Sequence, residues 1–280
     1  MLDRAYDGLV LDLDGTVLDD TSSVHPRTRA ALDAARAAGV RVLVATGRSN
    51  LSAHPVLEEL GLECPAVVFN GAALYCPQTR RMLEERVLGN RTLERALAFG
   101  REHDFPMVVM CADKKLATQP RDAHEAAAMA GMKALEYVAD VRELSAEYVI
   151  RVTYFAKNGG ASDALASAVE SWVELPVYVT HFPLSVLPNH RTSPMSVVDL
   201  HPPCRGKAEA LRVMQELYGI PPQRVVAVGD ATNDIPMFEA AGLSVAMGDG
   251  MREAREAAQR VIAGCNGTAL AELVEELFLT

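Results

Sequence analysis

Two aspartates two residues apart follow a short apolar run near the start of the chain. Residues 9–11 lead into Asp12-Leu13-Asp14-Gly15-Thr16. Alternate residues of an extended chain lie on the same side, so the two carboxylates would share one small space. A polar Asp-Gly turn that merely ends a strand is the alternative interpretation. Apolar residues packed up to the first carboxylate favour a functional site over a surface turn.

A second acidic strand end occurs far along the chain. Residues 224–228 lead into Gly229-Asp230-Ala231-Thr232-Asn233-Asp234. If both strands belong to one sheet, Asp12, Asp14 and Asp230 converge on a site of carboxylate and carbonyl oxygens. Mg²⁺ held by a few carboxylates together with substrate phosphate is the usual use of such ligands. The sequence therefore predicts a site for a hard cation.

The end of this second acidic segment has more than one interpretation. Asp234 precedes Ile235-Pro236, which is typical of the first turn of a helix. Asp234 could therefore bind the metal directly, orient another metal ligand, or cap the helix. The same alternatives stay open for Asn233.

Two further segments offer groups that bind phosphate. The apolar run 42–45 ends in Thr46-Gly47-Arg48, which supplies a hydroxyl and nearby backbone N–H groups. Lys207 stands where a helix is predicted to begin. A lysine in a first helical turn opposes the helix dipole, so a functional reason for this position is favoured. A Thr turn and a solvated lysine remain the structural alternatives.

The elements that carry these residues alternate in type. Apolar runs at 9–11, 40–45 and 66–69 predict strands, and amphipathic segments at 26–38 and 51–60 predict helices. This order is typical of a Rossmann-like α/β core, a parallel sheet covered by helices. Ligands of such sheets bind beyond the carboxyl ends of the strands, where the candidate residues lie.

The α/β alternation stops in the middle of the chain and then returns. Residues 224–228 and 243–247 predict strands, with helices beginning near 206 and 234. The middle is richer in β runs mixed with helical segments. We therefore predict a catalytic core domain over 1–83 and 192–280, with an inserted α+β cap domain over 84–191. In the cap, strands are predicted over 107–111, 148–155 and 177–180, and helices over 93–101 and 163–172.

Composition narrows the class of partner. The 280 residues carry a formal net charge of -10, so the surface repels nucleic acid and anionic lipid. No apolar stretch reaches the roughly 18 residues of a membrane helix. Five separated cysteines form no disulfide or zinc pattern. These features predict a cytoplasmic protein that binds neither nucleic acid nor membrane, with a small local site for any anionic substrate.

Together the segments resemble one family over nearly the whole chain, the haloacid dehalogenase-like phosphohydrolases. The similar branch is the Cof type (subfamily IIB), with a large cap between the second and third motifs. Two segments depart from the family pattern: Cys204-Arg205-Gly206, where Arg205 could compete for substrate anions, and Cys265-Asn266-Gly267. The resemblance rests on five segments in the family order, Asp12-Leu13-Asp14-Gly15-Thr16, Thr46-Gly47-Arg48, Asn70-Gly71-Ala72, Gly206-Lys207 and Gly229-Asp230-Ala231-Thr232-Asn233-Asp234.

The resemblance implies a Mg²⁺-dependent phosphatase that acts on a small phosphorylated metabolite, with a sugar phosphate as the leading substrate. Asp12 would be the nucleophile that forms an aspartyl phosphate, and Asp14 the general acid and base. The metal set it implies is Asp12, Asp14 through its carbonyl, Asp230 and, directly or in support, Asp234. The residues expected around the phosphate are Thr46, Gly47, Arg48, Lys207, Asn70 and Asn233.

Several properties stay open at this level. The cap is expected to close over the site, exclude water from the first step and select the substrate. A phosphomutase and a noncatalytic sensor of phosphorylated metabolites are the alternative functions. The oligomeric state, monomer or homodimer, is not readable. Cap residues that either meet a substrate or are simply solvated are Lys114, Arg121, His181 and Arg191.

Overall fold

The computed structural model describes residues 5–130, 132–144, 146–157, 161–187 and 190–280. The chain forms two compact units. The first contains Met1–Ser49, Ala53–Glu84 and Arg205–Thr280, and the second contains Asn50–Ser52 and Glu85–Cys204. Within the described ranges, no helix combines the length and the apolar character needed to cross a membrane.

A five-stranded parallel sheet forms the centre of the first unit. Numbered along the chain, its strands are β1 (Gly8–Leu11), β2 (Arg41–Val44), β12 (Val225–Gly229), β13 (Leu243–Met247) and β14 (Arg260–Ile262). They lie in the order β14-β13-β12-β1-β2, so β1 and β12, the strands that lead into the two acidic segments, are neighbours. Every residue of β1 and β12 is buried, as expected for parallel strands covered on both faces.

Helices and a small antiparallel sheet complete this unit. The sheet consists of β3 (Ala66–Val68), β4 (Ala73–Cys76) and β5 (Arg81–Glu85), and a bridge from Ala45 to Val67 joins β3 to the edge of the parallel sheet. The helices are α1 (Pro26–Ala37), α2 (Asn50–Glu59), α6 (Glu209–Tyr218), α7 (Ile235–Ala240), α8 (Arg252–Ala257) and α9 (Ala269–Phe278).

The second unit is a six-stranded mixed sheet with helices. Its strands are β6 (Met107–Met110), β7 (Lys115–Thr118), β8 (Leu135–Val138), β9 (Arg151–Lys157), β10 (Tyr178–Pro183) and β11 (Met195–His201), in the order β10-β11-β9-β6-β7-β8. The helices are α3 (Asn90–Glu102), α4 (Ala123–Met129) and α5 (Ser162–Val173). Helices α3 and α5 cover one face of the sheet, where Phe99 and Val169 pack with Tyr154.

The predicted fold class is confirmed, an α/β parallel-sheet core with a further sheet domain. One boundary differs from the expectation. The residues of β11 were assigned to the core that resumes at residue 192, and no strand was predicted there, whereas they pair with β9 and β10 in the second unit. All seven residues of β11 are buried, and a continuously buried strand has no alternating pattern that would reveal its sheet.

Candidate active site

Strand register brings the two acidic segments together. Leu11 at the end of β1 pairs with Val228 on β12, and the Asp12 backbone N–H donates to the Val228 carbonyl at 3.0 Å. Asp12 and Asp230 therefore leave adjacent parallel strands at the same edge. The turn that follows Asp14 needs Gly15, which has φ +74°, since a Cβ there would lie 2.5 Å from Asp230 Oδ2. The predicted convergence of these two aspartates is observed.

Lys207 links two buried carboxylates. Its Nζ lies 2.7 Å from Asp12 Oδ1 and 2.6 Å from Asp234 Oδ1, and its side chain is 1% exposed. Burial opposes the charge, but Asp12 and Asp234 raise the pKa of Lys207, so the ammonium stays protonated. Burial raises the pKa of Asp12, while the charge of Lys207 lowers it. The lysine ammonium thus neutralises part of the negative charge that the Asp12 and Asp234 carboxylates bring to this edge of the sheet.

Three carboxylates of the described residues are close enough to hold a cation. Oxygens of Asp12, Asp230 and Asp234 lie within 4.8 Å of one another. Asp230 Oδ1 is buried and accepts no hydrogen bond among the described residues, which is costly unless a cation binds there. Burial, followed by the charges of Asp12 and Asp234, raises the pKa of Asp230. This oxygen-rich set fits a hard divalent cation such as Mg²⁺.

Asp234 has its oxygens engaged elsewhere. Oδ1 accepts from Lys207, and Oδ2 accepts the backbone N–H groups of Asp230 and Ala231, each at 2.9 Å. The side chain is fully buried. These bonds fix the turn that carries Asp230, so the geometry favours a supporting role over direct metal binding.

Asp14 and Arg48 form a two-point ion pair. Arg48 Nε lies 2.8 Å from Asp14 Oδ2, and Arg48 Nη2 lies 2.5 Å from Asp14 Oδ1. The Asp14 side chain is 47% exposed, in contrast to the buried Asp12. Burial opposes the charge of Arg48, but the pairing with Asp14 raises its pKa. Arg48 was predicted to contact phosphate, whereas here it holds Asp14, the second aspartate of the Asp12-Leu13-Asp14 segment.

The remaining predicted residues surround this edge. Thr46 is fully buried, and its Oγ1 accepts the Arg48 backbone N–H at 3.1 Å. Asn70 follows β3 and accepts from Asn233 Nδ2 at 3.0 Å, while Asn233 Oδ1 is buried with no partner among the described residues. A Cβ on Gly47 would lie 3.0 Å from Asn70 Oδ1. The structure therefore gathers all the predicted site residues within the first unit.

Two further features of the site were not predicted. Thr16 is buried, and its Oγ1 has no hydrogen-bond partner in the described structure. A hydroxyl directly after the Gly15 turn was the sequence signal for it. The backbone N–H of Met251 donates to the Asp230 carbonyl at 2.7 Å. Met251, which directly precedes α8, thus helps to hold the Asp230 loop.

Gly71 allows the segment that carries Lys207 to approach. It has φ +95°, and a Cβ there would lie 2.1 Å from the Gly206 carbonyl oxygen. We expect Gly71→Ala to lower the free energy of unfolding by more than about 2 kcal/mol, because strain and a backbone clash add. Gly219→Ala is the matched control, since Gly219 also has positive φ but no neighbour within 4 Å.

Urea denaturation of both glycine variants measures the difference. Strain alone should cost the Gly219 variant about 1 kcal/mol. Equal losses for the two variants would contradict a close approach of Gly71 to Gly206.

The comparisons with known proteins point to one family. The family model for haloacid dehalogenase-like hydrolases matches residues 9–274. The chain is 26% identical to the Bacillus subtilis (strain 168) 5-amino-6-(5-phospho-D-ribitylamino)uracil phosphatase YitU, covering 96% of this chain and 97% of the relative. It is 28% identical to the Escherichia coli (strain K12) pyridoxal phosphate phosphatase YbhA, covering 93% and 94%.

A solved structure shows the same fold. The HAD subclass IIB sugar phosphatase BT4131 superposes with a TM-score of 0.80 at 20% identity, covering 96% of this chain and 98% of that one. The chain belongs to the haloacid dehalogenase-like hydrolases. The family inferred from the sequence segments is therefore confirmed, and with it the expectation of an enzyme of the phosphoric monoester hydrolase class.

Proposed function

We propose that this protein is a Mg²⁺-dependent phosphatase that hydrolyses a small phosphorylated metabolite through an aspartyl phosphate on Asp12. The observation that carries the proposal is the buried Asp12 carboxylate, 2.7 Å from Lys207 Nζ and beside Asp230. Phosphoryl transfer requires charge neutralisation and in-line positioning more than covalent assistance. A buried carboxylate beside a lysine ammonium and a set of oxygens that could hold a cation suits that requirement.

In the first half of the reaction, an Asp12 oxygen attacks phosphorus and the bond to the leaving oxygen breaks. Asp14 donates a proton to that oxygen, so the product leaves as an alcohol. Lys207 balances negative charge on the phosphoryl oxygens, and the backbone around Thr46 orients them. Mg²⁺, held by Asp12, Asp230 and the Asp14 carbonyl, would supply further charge neutralisation.

In the second half, Asp14 removes a proton from water and the resulting oxygen attacks the phosphorus of the aspartyl phosphate. The bond from phosphorus to the Asp12 oxygen breaks, and inorganic phosphate leaves. Asp12 regains its carboxylate and Asp14 regains its proton. The cycle consumes one water and one phosphomonoester, with no other reactant.

The substrate class is small phosphorylated metabolites. Two relatives of this chain are named as phosphatases of a phosphoribitylamino uracil and of pyridoxal phosphate. Both substrates are soluble phosphomonoesters of modest size. We infer that this chain takes a substrate of the same size class, with a sugar phosphate as the leading example.

The test is release of inorganic phosphate from a panel of phosphometabolites by the purified full chain. We expect turnover of at least one member with Mg²⁺ and its loss in EDTA, restored by added Mg²⁺. Metal-independent turnover would contradict the metal role. Return of the phosphate to another position of the same sugar, without free phosphate, would identify a phosphomutase.

Arg48 gives a prediction that separates two roles. If it positions Asp14, Arg48→Met should lower kcat about tenfold or more with little change in KM, because proton transfer is impaired. Steady-state kinetics on the best panel substrate measure both constants. A higher KM at unchanged kcat would instead show that Arg48 binds the phosphate in the ground state.

A further inference from the structure

Arg212 on α6 binds three carboxylates at once. Its Nε lies 2.8 Å from Glu209 Oε2, its Nη2 lies 2.6 Å from Glu84 Oε2, and its Nη1 lies 2.5 Å from Glu216 Oε2. Each partner therefore takes a different nitrogen of the guanidinium. A planar guanidinium holds its donors in a fixed fork, whereas a lysine ammonium is a single charge on a flexible stem. Only an arginine at this position can fix all three carboxylates in this geometry.

The three partners of Arg212 differ in exposure. The Glu209 side chain is 5% exposed, against 41% for Glu84 and 56% for Glu216. A buried carboxylate requires a cation or hydrogen-bond donors, whereas exposed ion pairs contribute little to stability. The hydrogen bond to Glu209 is also the leading cause that raises the pKa of Arg212. Glu209 is thus the partner that depends most on the guanidinium.

Glu209 also holds the backbone that precedes Lys207. Its second carboxylate oxygen, Oε1, accepts the Arg205 backbone N–H at 3.3 Å. Glu209 is the first residue of α6, and the short helical turn Gly206–Ala208 lies between it and Arg205. One carboxylate therefore joins the two ends of the turn that carries Lys207, and Arg212 holds this carboxylate through its other oxygen.

The position of this turn determines where the Lys207 ammonium lies. Its Nζ donates to Asp12 Oδ1 at 2.7 Å and to Asp234 Oδ1 at 2.6 Å. Charge-assisted hydrogen bonds have their usual length at about 2.7–2.9 Å, so a shift of about 1 Å in the turn would break both. The ammonium depends on a turn that is fixed at both ends.

The same arginine lies near two places where the chain passes between the units. One stretch of the first unit ends at Glu84, and the next begins at Arg205. Arg212 binds the Glu84 side chain directly and the Arg205 backbone through Glu209. Two connecting points of the chain are therefore fastened to one helix of the first unit.

We propose that Arg212 is a positioning residue for the phosphatase reaction. By holding Glu209 and Glu84 together, it fixes the turn 206–208 and thereby places the Lys207 ammonium against Asp12. The three partners of Arg212 are not among the carboxylates that could hold a cation, so the arginine acts through the turn and not on the reacting atoms. This inference rests on the proposed phosphatase function.

Arg212→Met tests the proposal on the purified full chain. We expect kcat/KM to fall about tenfold to a hundredfold, because a misplacement of about 1 Å at the reaction centre costs about that much. The factor should be the same for every hydrolysed member of the phosphometabolite panel, since Lys207 acts on the phosphoryl group that all of them share. The inhibition constant of inorganic phosphate should rise about fivefold or more, as a hydrogen bond to a charged group weakens.

Further variants assign the effect to the turn. Glu209→Ala removes the carboxylate that joins Arg212 to the turn, so adding Arg212→Met to it should cost less than about threefold further. Arg212→Lys keeps the charge without the fork and should restore only part of the activity. Glu216→Gln is the matched control, because it removes an exposed partner of the same guanidinium, and it should leave kcat/KM within about twofold of the wild type.

The outcomes are distinguishable. An Arg212→Met loss no larger than that of Glu216→Gln would overturn the inference and leave the phosphatase function intact. Lower stability in urea with unchanged kinetics would overturn it too, since that describes a purely structural role, and so would a loss confined to some substrates. If the wild type hydrolyses no panel member, the proposed function fails and the inference with it.

Circular dichroism checks that each variant folds. Where Arg212→Met does not fold, Arg212→Lys and Glu209→Ala decide the question. Both should then have a lower kcat/KM than Glu216→Gln on every hydrolysed substrate, and equal values would overturn the inference.

Discussion

Asp12→Asn should abolish phosphate release, with kcat lowered by about four orders of magnitude or more. An amide neither attacks phosphorus nor leaves as a carboxylate. The same change should not weaken the fold, because Lys207 keeps its ion pair with Asp234 and the amide removes a buried carboxylate that the charges of Asp234 and Asp14 repel. We expect a melting temperature equal to or above that of the wild type. The loss of activity would then come from the missing nucleophile and not from unfolding.

Asp33→Asn is the matched control for Asp12→Asn. Asp33 is exposed and pairs with Arg36 on the surface of α1. Its replacement should leave phosphate release within about twofold of the wild type, since exposed ion pairs contribute little. Appreciable release by the Asp12 variant, after repeated purification, would show that another group accepts the phosphoryl group.

Lys207→Met should affect both catalysis and stability. The variant keeps the side chain unbranched and apolar up to its end but lacks the ammonium, so the carboxylates of Asp12 and Asp234 stay buried without their cation. Removing one partner of a buried ion pair costs about 3–5 kcal/mol, so the melting temperature should fall. Loss of the positive charge beside the phosphoryl group should lower kcat/KM about a thousandfold.

The opposite stability effects of the Asp12 and Lys207 variants form one test of the site. Urea denaturation gives the free energies of unfolding, and phosphate release gives the kinetics. Lys133→Met controls for loss of a lysine charge at an exposed position. If Lys207→Met were as stable as the wild type and retained more than about a tenth of its kcat/KM, the buried ion pairs would not be essential.

Much of the core could be predicted because its signals are local in sequence. The predicted strand 243–247 coincides with β13, and the predicted helix 26–38 differs from α1 by one residue. Acidic residues directly after buried runs identified both halves of the carboxylate cluster. The strands that were not predicted are β4, β5, β7, β8, β11 and β14. All of them except β11 are only three to five residues long, which is too short for a clear apolar period.

The sequence by itself determined that Asp12 follows one strand and Asp230 another strand of the same α/β core. An apolar run, and the polar or glycine residues that end it, can be recognised from residues that are neighbours in the sequence. Only the tertiary structure decided that Arg48 holds Asp14, that Asp234 is occupied by Lys207 and two backbone N–H groups, and that β11 belongs to the second sheet. These contacts join side chains far apart along the chain. They depend on strand register and side-chain direction, which apolar periodicity leaves unspecified.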